Sequence, residues 1–120
     1  MNNNIYGEEL IIDLHKCNRD KLNQGDISEF LNILCDKIKM QRVSKHFYDL
    51  KSEESDDQYA GISVIQFITT SSIIIHTYNK KGNLYLNVFS CKKFDRRTVL
   101  EFSSQFFEGE IATFELIRRI

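Results

Sequence analysis

Proline is absent from all 120 residues, and no apolar run approaches the ~20 residues that a membrane-spanning helix needs. The missing proline yields no functional reading. Cysteine is scarce: Cys17, Cys35 and Cys91 are odd in number and lack CxxC spacing, which argues against a disulfide framework or a zinc site. His15, His46 and His76 are scattered as well, so no metal cluster is expected. Charge of one sign is also lacking. Sixteen Lys and Arg face seventeen Asp and Glu, for a formal net charge of −1, without the basic stripe expected of a duplex nucleic-acid binder. The opening MNNNIYGEE has neither a basic n-region nor an apolar h-region, so no secretory signal is read. A soluble, cytoplasmic protein without nucleic-acid or membrane partners is the expectation.

The hydrophobic content of 42%, with nine Phe, is enough to build one core, and 120 residues hold one domain. Residues 9–15 (ELIIDLH) read as a strand, and 18–25 as a polar turn. Asp26 and Glu29 stand in capping-box positions, and Ile27, Phe30, Leu31, Leu34 and Ile38 follow as one helical stripe. A weaker strand is expected over 43–50, then an acidic loop over 51–58 (KSEESDDQ). From Gly61 the chain is strongly β-prone, with strands expected over 62–68 and 73–78. The turn signal NKKGN then leads to a returning strand over 84–89. A helix over 95–107 and a last strand over 110–116 complete the order. That order predicts an α+β two-layer sandwich: an antiparallel β-sheet with helices packed on one face. The strands are apolar on both alternations, which makes a partner subunit over the other face the expectation.

The stretch ITTSSIIIHTY interrupts two apolar strands with four hydroxyl residues, Thr69, Thr70, Ser71 and Ser72. Taken singly, each chemical residue nearby has a bland explanation. Ser71 is a turn hydroxyl, His76 a satisfied core or sheet-edge histidine, Cys91 an inert thiol, and Ser63 carries almost no information.

Their joint register is another matter. GISVIQFITTSSIIIHTY, followed by LNVFSC, resembles the prokaryotic S-adenosylmethionine decarboxylases. That family shows Gly-apolar-Ser, an apolar strand, a processing serine, four apolar residues and His-Thr-aromatic. A Cys closes a strand fifteen residues after the His. Ser63, Ser71, His76 and Cys91 occupy those places without a gap, and YGEELIIDLHKCN resembles the family's first strand. The likeness spans nearly the whole chain apart from the acidic loop. Ser72 is adjacent to Ser71, but the four residues between Ser71 and His76 match the family spacing.

What the resemblance implies is a cofactor made from the chain itself. Ser71 would attack the Thr70 carbonyl, giving a β chain of residues 1–70 and an α chain of residues 71–120 that begins with a pyruvoyl group. His76 and Ser63 match the family's processing residues. The pyruvoyl ketone would form a Schiff base with the substrate amine and act as electron sink for decarboxylation. Cys91 matches the residue that returns a proton to the α-carbon. The implied substrate is S-adenosylmethionine, the implied pathway spermidine and other polyamine synthesis, and the implied assembly a homodimer. No metal is implied. A sulfonium substrate favours aromatic faces, for which Phe47, Tyr48 and Tyr78 are the candidates. The chain departs from the family pattern at Thr70 (usually Glu), at Asn79 and Lys80 (usually Pro-Glu), at Glu9 (usually His) and at Asn87 (usually acidic). These departures leave two alternatives: a pyruvoyl decarboxylase of ornithine or arginine, or an unprocessed, non-catalytic paralogue that binds a ligand or partner subunit.

Overall fold

The computed structural model describes residues 4–50 and 60–120; the expected acidic loop over 51–58 lies outside them. Six strands form one antiparallel sheet: β1 (Gly7–His15), β2 (Arg42–Leu50), β3 (Gly61–Ile68), β4 (Ser71–Tyr78), β5 (Asn83–Ser90) and β6 (Glu110–Arg119). Their order is β2-β3-β4-β5-β1-β6, so β1 is inserted between the returning strand β5 and the C-terminal β6. Helices α1 (Gln24–Lys37) and α2 (Arg96–Phe107) complete the two-layer α+β architecture expected from the pattern.

Alternation along the strands separates the two faces. Leu10, Ile12 and Leu14 of β1, Ile62 and Val64 of β3, Ile73 and Ile75 of β4, and Leu84, Leu86 and Val88 of β5 are all buried. They share a core with Ile27, Phe30, Leu31 and Leu34 of α1 and with Val99 and Phe107 of α2. Each such side chain withdraws enough apolar area from water to contribute roughly 1.5–3 kcal/mol. Phe30 is the hub between the helices, with ring centroids 5.2 Å from Phe102 and 4.8 Å from Phe107.

The α1 stripe forms as expected, but the cap does not. Asn23, in extended backbone, is the N-cap and accepts the Asp26 amide at 2.8 Å. Its side-chain amide nitrogen donates to the Asp26 carboxylate at 2.6 Å. The cap therefore sits one turn earlier than expected, on Asn23 rather than Asp26, because Asn caps as well as Asp does.

The opposite sheet face carries a second set of residues, aligned in rows by the register. One row runs Ser44, Phe67, Ser72, Phe89, Glu9 and Ile117. Another runs Tyr48, Ser63, His76, Tyr85 and Asp13. This open face mixes hydroxyls and charges with exposed apolar groups, among them Tyr48, Ile65, Phe67 and Tyr85.

Candidate active site

The hydroxyl cluster divides between turn and strand. Ile68 pairs with Ser71, so only Thr69 and Thr70 form the hairpin turn, and Ser71 already begins β4. The strand expected from residue 73 thus starts two residues earlier. Register, not side-chain polarity, decides where the ladder ends. Thr70 takes φ 57°. A two-residue turn with positive φ at its second position alone normally places Gly or Asn there. A β-branched residue in that region is strained, and the strain falls on the residue whose carbonyl precedes Ser71.

Ser71 is buried, and its hydroxyl accepts the Cys91 amide at 3.2 Å. Cys91 itself is held by a tight loop closed by the buried Ser90. The Ser90 hydroxyl donates to the Lys92 carbonyl at 2.7 Å and accepts the Lys92 amide at 2.9 Å. Cys91 Sγ lies 2.8 Å from Thr70 Oγ1. The Thr70 hydroxyl pulls the Cys91 thiol below its ordinary pKa, the Ser71 hydroxyl assists, and partial burial opposes. The other two thiols behave in the opposite way: burial pushes Cys17 up to about 11 and raises Cys35. Gly7 of β1 stands against this loop, where an added Cβ would collide with the Ser90 carbonyl oxygen. Thr70, Ser71 and Cys91 therefore form one cluster at the end of the sheet.

Ser63 and His76 form a second pair. They are register partners on β3 and β4, with Ser63 Oγ 2.8 Å from His76 Nδ1. His76 lies five positions along β4 from Ser71, or roughly 16 Å at the usual strand rise. Their side chains also lie on opposite alternations of β4, so one chain does not bring this pair to the Thr70–Ser71 bond.

The expected aromatic candidates lie away from the cluster. Phe47 packs against the core, and Tyr48 lines a hollow with Ser63, His46 and His76 on the open face. Tyr78 ends β4, opposite Asn83. The rings beside the cluster are Phe67 and Phe89, which flank Ser72 in register from β3 and β5 and line an apolar hollow with Val43, Ile68 and Thr70. Sequence reasoning missed them. The signal was available in the two-residue turn, which sets residue 67 opposite residue 72. A polar network adjoins Phe89. Arg119 pairs with Glu9 at 2.6 Å, Asn87 donates to the other Glu9 oxygen at 2.6 Å, and Arg119 lies 5.5 Å from the Phe89 ring centroid. Two positions that depart from the family pattern, Glu9 and Asn87, are thus partners of each other.

A pyruvoyl group made at residue 71 fits this donor set. The hydroxyl that would generate it follows a strained residue, and a thiol and an amide of Cys91 face it. Among the described residues no group of three or more His, Cys, Asp or Glu could hold a metal ion, and no helix is long and apolar enough to cross a membrane.

Comparison with known proteins follows the same line. Residues 8–120 match the family model described as S-adenosylmethionine decarboxylase. The S-adenosylmethionine decarboxylase proenzyme of Clostridium botulinum strain Langeland is 31% identical over 98 residues, covering 80% of this chain and 78% of that one. Its counterpart in strain Loch Maree is 29% identical over the same length. The crystal structure of the adenosylmethionine decarboxylase from Aquifex aeolicus VF5 superposes with a TM-score of 0.74 at 18% identity, covering 96% of this chain and 89% of that chain. At that identity the match establishes the shared fold.

Proposed function

Because the chain belongs to the S-adenosylmethionine decarboxylase family, we propose that it is a proenzyme that cuts itself between Thr70 and Ser71 and decarboxylates S-adenosylmethionine for polyamine synthesis. The observation that carries this reading is the Thr70–Ser71–Cys91 cluster: a left-handed threonine, a buried serine hydroxyl and a thiol of lowered pKa.

In this reading Ser71 Oγ adds to the Thr70 carbonyl carbon, and the Thr70–Ser71 C–N bond gives way to a C–O ester. Rotation of the peptide out of its left-handed conformation favours that exchange, since the strain is present in the amide and relieved as it opens. Loss of the residue-71 α-proton then expels Thr70 as a free carboxylate. Water replaces the nitrogen of the resulting dehydroalanine as ammonia, leaving residue 71 as the pyruvoyl group. That group supplies a ketone able to capture a substrate amine and accept the electrons released with carbon dioxide. Cys91, within reach of residue 71, returns a proton to the substrate α-carbon. Phe67 and Phe89 offer apolar faces for the rest of the substrate.

The separation of Ser63 and His76 from Ser71 favours a homodimer as the working unit. The open face carries both the pair and the exposed apolar residues that a second copy would cover. A second chain packed there carries its own Ser63–His76 pair toward the Thr70–Ser71 end, where His76 can serve as base for processing. The cytoplasm, where such a substrate is made and used, is the expected compartment.

Intact mass of the purified protein tests the reading. Two chains are expected, one ending at Thr70 and one starting at a blocked residue 71. A single chain of 14.1 kDa after prolonged incubation would instead mark the protein as an unprocessed relative.

A further inference from the structure

Two hollows flank the Thr70–Ser71–Cys91 cluster, and they differ in chemistry. The hollow on the open face, between Phe67 and Phe89, is lined by Val43, Ile68 and hydroxyl residues, with no charged side chain. The other, of about 280 Å³, lies between the start of β1, the loop after β5 and the end of β6. Cys91 is in its wall, together with Tyr6, Glu8, Lys92, Lys93 and Arg118. Lys92 is tied back, its ammonium donating to the Lys39 carbonyl at 3.2 Å. Glu8, Lys93 and Arg118 have no ion pair and no side-chain hydrogen bond among the described residues. The next residues along the same two strands, Arg119 and Glu9, pair with each other instead.

We propose that this hollow receives the α-carboxylate of the amino-acid substrate, with Lys93 and Arg118 as the cations that hold it. The inference rests on the decarboxylase reading and assigns the two ends of the substrate. A substrate whose α-carbon is served by Cys91 has its carboxylate one bond away, and that carboxylate must enter whichever hollow Cys91 borders. Only the charged one contains a counter-charge. Guanidinium and ammonium groups bind carboxylates through charge-assisted hydrogen bonds. Glu8, the register partner of both Ser90 and Arg118, keeps the hollow from being uniformly positive. That mixture suits a zwitterionic amino acid better than a polyanion. The sulfonium and nucleoside end of the substrate then extends toward the Phe67 and Phe89 rings. Both cations are solvent-exposed, so their pull is modest and selects the substrate without trapping it in its ground state.

The test measures binding separately from turnover. A Ser71→Ala chain, which cannot make the pyruvoyl group, is titrated calorimetrically with S-adenosylmethionine and with its decarboxylated counterpart, which lacks only the carboxylate. The carboxylate form is expected to bind roughly fivefold more tightly. In Ser71→Ala/Lys93→Met/Arg118→Met that advantage disappears, and Lys93→Arg with Arg118→Lys restores it. Equal affinity of the two probes, absence of binding by both, or an advantage untouched by the methionine substitutions overturns the proposal. Failure of the decarboxylase reading is seen elsewhere: a wild-type chain that never cleaves, yet discriminates the two probes, refutes processing and leaves the carboxylate site standing.

Discussion

Thr70 Oγ1 and Cys91 Sγ approach to 2.8 Å across the end of the sheet, which joins the residue before the expected cut to the thiol expected to finish the reaction. The hydroxyl stabilises the thiolate, so Cys91 loses its proton at lower pH than an ordinary cysteine. At a pH just below the usual thiol range Cys91 therefore holds a larger thiolate fraction. Iodoacetamide should label Cys91 first in the native protein, while Cys17 and Cys35 react only on unfolding. Thr70→Val removes the hydroxyl and should shift the pH profile of Cys91 alkylation upward. An unchanged profile would show that Thr70 does not set this thiol's reactivity.

The left-handed conformation of Thr70 has an opposite effect on stability and on processing. Glycine tolerates φ near +57° without the clash that a β-branched residue meets there. Thr70→Gly should stabilise the uncut chain by about 1 kcal/mol after the entropy cost of glycine is set against the relieved strain. For a domain of this size that is a rise of roughly 3–5 °C in Tm. Cleavage of the same variant should be slower, because less strain is released when the amide opens. Thermal unfolding and a mass time course, both in the Thr70→Gly chain, measure the two effects; faster cleavage would refute the role given to strain.

Local pattern was the legible part of this sequence. The spacing of Ile27, Phe30, Leu31 and Leu34 marks α1 because periodicity is a property of neighbouring residues, and the buried stripe follows it. The cap was ambiguous because Asn23 and Asp26 are both good caps with an acidic residue three positions on. Ser71 and Ser72 resembled turn because their polarity is local, whereas their place in β4 depends on pairing with Ile68 and Phe67. What joins distant segments was not legible at all. Arg119 and Glu9 meet across 110 positions, and Ser63 reaches His76 only through the register that pairs β3 with β4.

The distance between Ser71 and the Ser63–His76 pair leads to a complementation experiment. If a second copy supplies the pair, a Ser71→Ala chain carries an intact His76 but has no cleavable bond. A His76→Ala chain has the bond but not the base. Each alone should remain largely uncut. Co-expression should restore cleavage of the His76→Ala chains that sit beside Ser71→Ala partners, detected by mass because the two chains differ in weight. Cys91→Ala, in contrast, should cleave nearly normally and lose decarboxylation. No cleavage in the mixed sample would place the processing base within the chain that is cut.

Cys17 makes a prediction at the other end of the pH scale. It is buried between the end of β1 and Gly109, and burial holds its thiol up to about 11, against 9.0 for an ordinary thiol. Between those values the unfolded chain gives up the proton and the folded chain keeps it. The unfolded state then binds fewer protons, so stability falls as pH rises through this window. Tm should be level below pH 9 and decline from there toward pH 11. Cys17→Ala should lower Tm at neutral pH, since it vacates packed volume, but flatten that alkaline decline. A decline of the same slope in the alanine variant would assign the alkaline instability to other groups.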